Sequence, residues 1–234
     1  MDIVPEITRE SITNLIVNDK REDGRALDEY RDISIETNVI SKAEGSARVK
    51  LGGTQVIVGI KPQLGSPFPD TPELGVLMTN CEMLPMADPT FEPGPPSEDS
   101  IELARVVDRG IRESELVDLD KLCVEEGKHV WMLFIDLHII DNCGNLFDAA
   151  ELAVMAALKS TKLPTATIVD DEVVLDEENT FDLPINNEVA MCTFVKICYK
   201  MVLDPTLSEE RVATARLNVG VTREGRICAM QKGG

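Results

Sequence analysis

Histidine is almost missing from this chain, with two residues among 234, and tryptophan occurs once. The six cysteines, at 81, 123, 143, 192, 198 and 228, include no CxxC pair. Zinc sites are built from closely spaced Cys and His, so this distribution speaks against one. The thiols read instead as reduced and mostly buried, as in a cytosolic protein. No apolar run approaches the ~20 residues of a membrane span, and the N-terminal stretch MDIVPEITRE is acidic where a signal peptide would be basic. A cytoplasmic chain without membrane contact is expected. P-loop, GxGxxG and GxSxG patterns are absent too, and no cofactor is implied. Basic residues are scarce: 23 Lys and Arg stand against 42 Asp and Glu, for a net charge of −19. Taken alone, that balance argues against a nucleic-acid binder, which needs a basic patch or a basic partner. Aromatics make up 4%, so the core must be mostly Val, Ile, Leu, Met and Ala.

What is present is an α/β rhythm. Residues 6 to 18 predict a helix with Ile7, Ile12, Leu15 and Ile16 near one face, ended by a polar run from Asn18 to Arg25. Ile33 to Ile40 predicts a strand. Ala47, Val49 and Leu51 alternate with polar residues, Gly52-Gly53 turns the chain, and Thr54 to Ile60 runs back as a hairpin. Residues 62 to 72 and 85 to 96 are rich in Pro and Gly and read as loops around a strand from Val76 to Met83. Ser97-Glu98-Asp99-Ser100 opens a helix running to about Leu116, its first-turn acids suited to the helix dipole. His129 to Asp141 is a continuous apolar run, fit for a strand buried on both faces. A turn from Asp141 to Asn145 leads into an Ala-rich helix, about Phe147 to Ser160.

The second half repeats this order. Thr167 to Val169 and Val173 to Leu175 predict a hairpin. Ala190 to Val202 gives one long strand or two short ones, and a helix starts near Leu207. Leu217 to Val221 and Arg226 to Met230 flank a turn at 222 to 225. Sheet then helix occurs twice without a clear sequence repeat. The first half calls for one more helix after Gly234, so the second half reads as short of its last helix.

Two sets of side chains carry possible chemistry. At ~100° per residue, Arg105, Arg109 and Arg112 fall within roughly 60° of one another on their helix, while Leu103, Val106, Val107, Gly110 and Ile111 cover the opposite arc. Guanidinium forks bind phosphate and always stay charged, so the stripe can track a single-stranded backbone. The alternative is a solvated face tied by i,i+4 pairs such as Asp108 with Arg112. The second set is acidic: Asp136, Asp141, Asp148, Asp170, Asp171, Asp176 and Asp182 lie near strand ends. Asp176 and Asp182 can pair on a magnesium ion or act in acid–base work; turn carboxylates that are merely solvated or capping are the simpler reading. Asn145 suits a helix cap.

Several segments together resemble one family. Arg21-Glu22-Asp23-Gly24-Arg25, followed by Arg31-Asp32-Ile33, resembles the R-x-DGR opening of the RNase PH family. The run from Glu102 to Ser114 resembles the long helix of one branch, the non-catalytic RNase PH-like ring subunit of the archaeal exosome. Leu203-Asp204-Pro205-Thr206 with Glu209-Glu210, and the ending from Gly225 to Gly234, are similar to the same branch. The resemblance spans about Ile7 to Gly234. It implies an RNase PH-like α/β (α+β) fold over 1–234, of the ribosomal protein S5 domain 2-like type. The first half would cover about 20–160, after the helix at 6–18, and the second about 161–234. It also implies a hexameric ring of three heterodimers with a catalytic RNase PH-like partner, RNA-binding cap subunits, and single-stranded RNA as the ligand. The partner would carry phosphorolysis, in which inorganic phosphate attacks the RNA 3′ end and releases nucleoside diphosphates.

Departures from the active pattern sharpen this. Active members carry a Gly-Gly-Thr-Arg-type loop that holds the attacking phosphate; this chain reads Gly144-Asn145-Leu146-Phe147-Asp148. Aligned on Gly144, the hydroxyl position is Leu146 and the arginine position Phe147, and Asp148 is expected to set a repelling charge beside the site. Active members also carry two aspartates six residues apart. Asp176 and Asp182 keep that spacing, but Asp182 in Phe181-Asp182-Leu183-Pro184 matches a later, structural aspartate better, which leaves Asp176 as a relic. The arginine helix is kept, and the resemblance assigns RNA contact to Arg105 and Arg109, with Arg112 on the same face. The expectation is a chain with no catalytic residues and no metal, supporting a 3′→5′ exoribonuclease complex. An active phosphate-dependent 3′→5′ exoribonuclease and a purely structural assembly subunit are the alternatives.

Overall fold

The computed structural model describes residues 5–169 and 172–233; Asp170 and Asp171 lie outside them. Helix α1 (Glu6–Val17) is followed by strands β1 (Ile33–Thr37), β2 (Gly45–Leu51), β3 (Thr54–Gly65) and β4 (Val76–Met83). Helix α2 (Glu98–Glu113), β5 (Cys123–Glu125), β6 (His129–Asp141) and helix α3 (Leu146–Ser160) complete the first half. Then come the hairpin β7 (Lys162–Val169) and β8 (Glu172–Asp182), strands β9 (Val189–Ile197) and β10 (Lys200–Leu203), helix α4 (Leu207–Val212), and strands β11 (Ala215–Thr222) and β12 (Ile227–Gly233). The first sheet runs β1-β2-β3-β6-β4 with β5 beside β6, and the second runs β10-β9-β11-β12. Helix α2 packs on β4 and β12, and α3 on β2, β3 and β9, so both helices lie between the sheets.

The core follows the alternation. Ala47, Val49, Leu51, Val56, Val58 and Ile60 are fully buried and meet the Ala-rich face of α3. Strand β6 departs from the expected two-sided burial. Val130, Leu133, Ile135, Leu137 and Ile139 are buried while Met132, Phe134, Asp136 and His138 are half-exposed. The helices cover one face of the sheet only, so the other stays open to water.

Other differences have local reasons. Strand β3 continues through Pro62 to Gly65, where composition suggested a loop. Beyond Ile60 it pairs only with β6, so the N–H that Pro62 lacks would have no ladder partner on the β2 side. The β7–β8 hairpin is longer than its apolar kernel, and the 190–202 segment is two strands turned at Cys198, which has a φ of +54°. Strand β1 ends at Thr37 rather than Ile40. Ile12 and Ile16 of α1 join Val195, Ile197, Val202 and Val212 in a second, small core, whereas Ile7 stays 82% exposed.

Candidate functional site

Helix α2 begins where Ser97 Oγ accepts from the Ser100 N–H, and buries Leu103, Ala104, Val106, Val107, Gly110 and Ile111. Gly110 is needed for the close approach to α3: a Cβ there would sit 2.6 Å from a Glu151 carboxyl oxygen. This fixes the opposite stripe outward, with Arg105, Arg109 and Arg112 all exposed. The stripe then divides into one tied arginine and two untied ones. Arg112 Nε donates to Asp108 at 2.6 Å and Nη2 to the Leu77 carbonyl at 2.6 Å, so it pins the helix to β4. Asp108 is shared further with Thr79 Oγ1 at 3.0 Å. Arg105 and Arg109 have no hydrogen-bond or ion-pair partner among the described residues, and stand one turn, about 6 Å, apart along the axis.

The other basic residues of the motifs are consumed internally. Arg21 is buried and forks onto Glu209 (2.9 and 2.6 Å), with its remaining N–H groups on the Leu203 and Asp204 carbonyls. Asp204 accepts from Arg25 (2.8 Å), Arg31 (2.7 and 2.9 Å) and the Asn145 amide (2.6 Å). Although burial works against it, these donors hold its carboxyl below the usual carboxylate range. The R-x-DGR segment and Leu203-Asp204-Pro205-Thr206 are thus two sides of one polar joint.

The loop before α3 is clamped by that joint. Gly144 has φ +90°, and a Cβ there would meet the Leu207 backbone nitrogen at 2.4 Å, so the loop and the start of α4 touch backbone to backbone. Asn145 occupies the cap position of α3 with φ +55°, but its side chain makes no cap bond; it reaches Asp204 and Asp148 instead. Phe147 is 7% exposed and stacks under Arg216, whose guanidinium carbon lies 4.6 Å from the ring centroid. Arg216 is also bonded to Glu102 at 2.7 Å. A cavity of about 180 Å³ remains, lined by Leu146, Phe147, Arg216 and the acids Asp99, Glu102 and Glu210. Burial pushes Glu210 up to about 7. An incoming phosphate would find three carboxyl groups and one guanidinium already engaged, so the cavity is built against anions.

Asp148 does not supply that repulsion. Third in the helix, it faces β9, accepting from Thr193 Oγ1 (2.7 Å), Thr193 N–H (3.1 Å), Tyr30 Oη (2.8 Å) and Asn145. Burial pushes it up to about 6. The carboxyl groups that line the cavity belong instead to Asp99 and Glu102 on α2 and Glu210 on α4. Sequence spacing did not single these out, although Glu209-Glu210 stood within a quoted motif. Arg216 carried no sequence signal.

The two aspartates of β8 are not brought to this cavity. Asp176 is half-buried and closes its own turn, accepting from the Glu178 and Asn179 N–H groups (3.1 and 3.2 Å) and the Asn179 amide (2.6 Å), where β8 bulges opposite Pro164 and Thr165. Asp182 pairs with Lys162 at 3.5 Å. Among the described residues no three His, Cys, Asp or Glu side chains gather as metal ligands would. Asp136 sits mid-strand in β6, on the wall of a larger groove beside α2. None of the helices is long and apolar enough to cross a membrane, among the described residues.

Known proteins share this fold. The chain is 67% identical over 234 residues to an exosome complex component Rrp42 of Methanothermobacter thermautotrophicus, all of this chain and 86% of that protein being covered. A solved Archaeoglobus fulgidus exosome with RNA bound to the active site superposes with a TM-score of 0.91 at 47% identity, covering 98% of this chain and 87% of that one. Rice Rrp46 shares the fold, with a TM-score of 0.67 at 19% identity, over 92% of this chain and 86% of the other. The model of the 3′ exoribonuclease family matches residues 29–164 as its domain 1 and 187–234 as its domain 2. With both domain models matched in order and relatives this similar over the whole chain, the protein belongs to the RNase PH family of 3′ exoribonucleases.

Proposed function

We propose that this chain is a non-catalytic subunit of an archaeal-type exosome ring in the cytoplasm. It completes a hexamer with a catalytic RNase PH-like partner, beneath RNA-binding cap subunits, and supplies arginines to RNA that the partner degrades by 3′→5′ phosphorolysis. The observation that carries the reading is the Phe147–Arg216–Glu102 stack. The place where active relatives hold phosphate is filled by an aromatic ring, and the nearest guanidinium is spent on a carboxylate. Asp176, bound to its own turn, is not among the residues that line that place. Arg105 and Arg109 remain as exposed, unengaged cations on an acidic protein, spaced to take neighbouring phosphates. Arg112 serves the helix rather than the ligand.

The test is to incubate the purified chain with oligoadenylate and inorganic phosphate, alone and with the partner. Diphosphate is expected only from the complex, and release by the chain alone would overturn the reading. The Arg105→Ala and Arg109→Ala variants should each lower the slope of log affinity against log salt by about 0.7 in the ring, the contribution of one single-strand phosphate. An unchanged slope would favour a purely structural subunit.

A further inference from the structure

One groove adjoins the arginine stripe and has no part in the reading above. Strand β4 is the last strand of its sheet, and a groove of about 470 Å³ runs along it, walled by α2 on one side and by β4 and β6 side chains on the other. That volume lies within the roughly 300–1,000 Å³ of small-ligand sites. Arg105 stands in its wall, and Arg109 continues the stripe one turn beyond. Ile101, 48% exposed, and Pro96 give it an apolar lip. The strand register places Asn80 beside Asp136 and Glu82 beside His138, so two carboxylates line the polar wall. His138 Nδ1 lies 3.4 Å from Glu82, and the Asp136 carboxylate has no partner among the described residues.

We infer that this groove is a nucleobase subsite that favours bases carrying an exocyclic amino group over uracil. The inference rests on the proposal that Arg105 and Arg109 hold RNA phosphates. A strand fixed at Arg105 has its next base at the mouth of the groove, where the apolar lip takes a ring face and the wall takes a ring edge. Ionised carboxylates only accept hydrogen bonds. Adenine and cytosine offer them an amino group, as guanine does. Uracil offers one N–H between two carbonyl oxygens, and those oxygens would face Asp136 and Glu82. The arginines read no sequence, since phosphate contacts carry none; this wall does.

The experiment measures binding of labelled oligoadenylate, oligocytidylate and oligouridylate to the complex with its RNase PH-like partner, in phosphate-free buffer so that no RNA is phosphorolysed. The A and C oligomers should bind about tenfold more tightly than the U oligomer, the size of one good base-edge contact. The double variant Asp136→Asn, Glu82→Gln, shown folded by circular dichroism, should bring that ratio close to one, chiefly by tightening binding of U. Equal affinities in the unmodified complex, or a preference that survives the double variant, would overturn the subsite. So would a double variant that weakens assembly with the partner at an unchanged base ratio, because the groove would then be a protein contact. The Arg105→Ala, Arg109→Ala pair tests the underlying reading separately: unchanged affinity for every oligomer would sink phosphate binding, whatever the base ratio.

Discussion

Helices α2 and α3 lie side by side between the two sheets, and the polar groups they carry have opposite fates. On α2 the stripe facing away from α3 keeps Arg105 and Arg109 unengaged in water. At the start of α3 the side chains are engaged with one another: Asn145 on Asp204, Phe147 beneath Arg216, Arg216 on Glu102. The same two-layer packing thus holds one surface open and the other closed. The difference resides in a handful of side chains, not in the backbone. The proposed function makes binding and chemistry separable on this scaffold, with the first kept and the second given up.

The closed side is predicted to be the more brittle. Asp204→Ala removes the acceptor shared by Arg25, Arg31 and Asn145 and leaves buried donors unpaired. It should cost about 3–5 kcal/mol in chemical denaturation, the range for breaking a buried charge network from one side. On the open side the cost should fall on binding rather than folding. Arg105→Glu with Arg109→Glu should weaken RNA binding by the complex about a hundredfold, roughly 3 kcal/mol, with the unfolding midpoint almost unchanged. Unfolding of this double variant at much lower denaturant would blur the comparison.

A third test addresses the seam between the helices. Glu151 is fully buried against Gly110, its two carboxyl oxygens have no hydrogen-bond partner among the described residues, and burial followed by the nearby Asp148 and Asp108 charges raises its pKa well above the ordinary value. Glu210 and Asp148 are raised as well, to about 7 and about 6. The folded state therefore holds protons that the unfolded state releases. Stability should be greatest near the ordinary carboxylate pKa and fall as pH rises from about 4.5 through 7. Each unit of upward shift costs about 1.4 kcal/mol once both states are ionised. Glu151→Gln should flatten this decline, read as urea midpoints at pH 5 and pH 8; an unchanged slope would show the carboxyl to be hydrated. The smallest effect is expected at Arg112. Its exposed pair with Asp108 is worth under about 1 kcal/mol, so Arg112→Ala should shift stability by no more than that and RNA affinity by less than about threefold.

Much of the frame was legible because it rests on period. The β2–β3 alternation and the buried arc of α2 follow from residues two apart or three and four apart, and the limits of β6 from a continuous apolar run. The replacement of the phosphate-holding pair by Leu146 and Phe147 was also legible, through resemblance to active relatives. The partners of Phe147 were not. Glu102, Glu210 and Arg216 come from α2, α4 and β11 and meet only after the halves dock. Asp148 was misassigned because adjacency along the chain does not say which side of a helix a residue takes; its neighbours Thr193 and Tyr30 decide that. The arginine stripe was half legible, since position showed three arginines on one face but not that Arg112 would be pulled to the Leu77 carbonyl.

The polar joint at Asp204 also sets a timetable. Arg21 meets Glu209 across 188 positions of sequence, and the loop before α3 is closed by residues that follow it by about sixty. During synthesis the N-terminal segment must wait for α4 before its guanidiniums find their acceptors. The first sheet and its two helices are made long before that contact exists, so the newborn chain carries unpaired charge at its joint until α4 has been made. Assembly that recognises the closed joint would therefore admit chains whose α4 is in place and pass over those in which it is not.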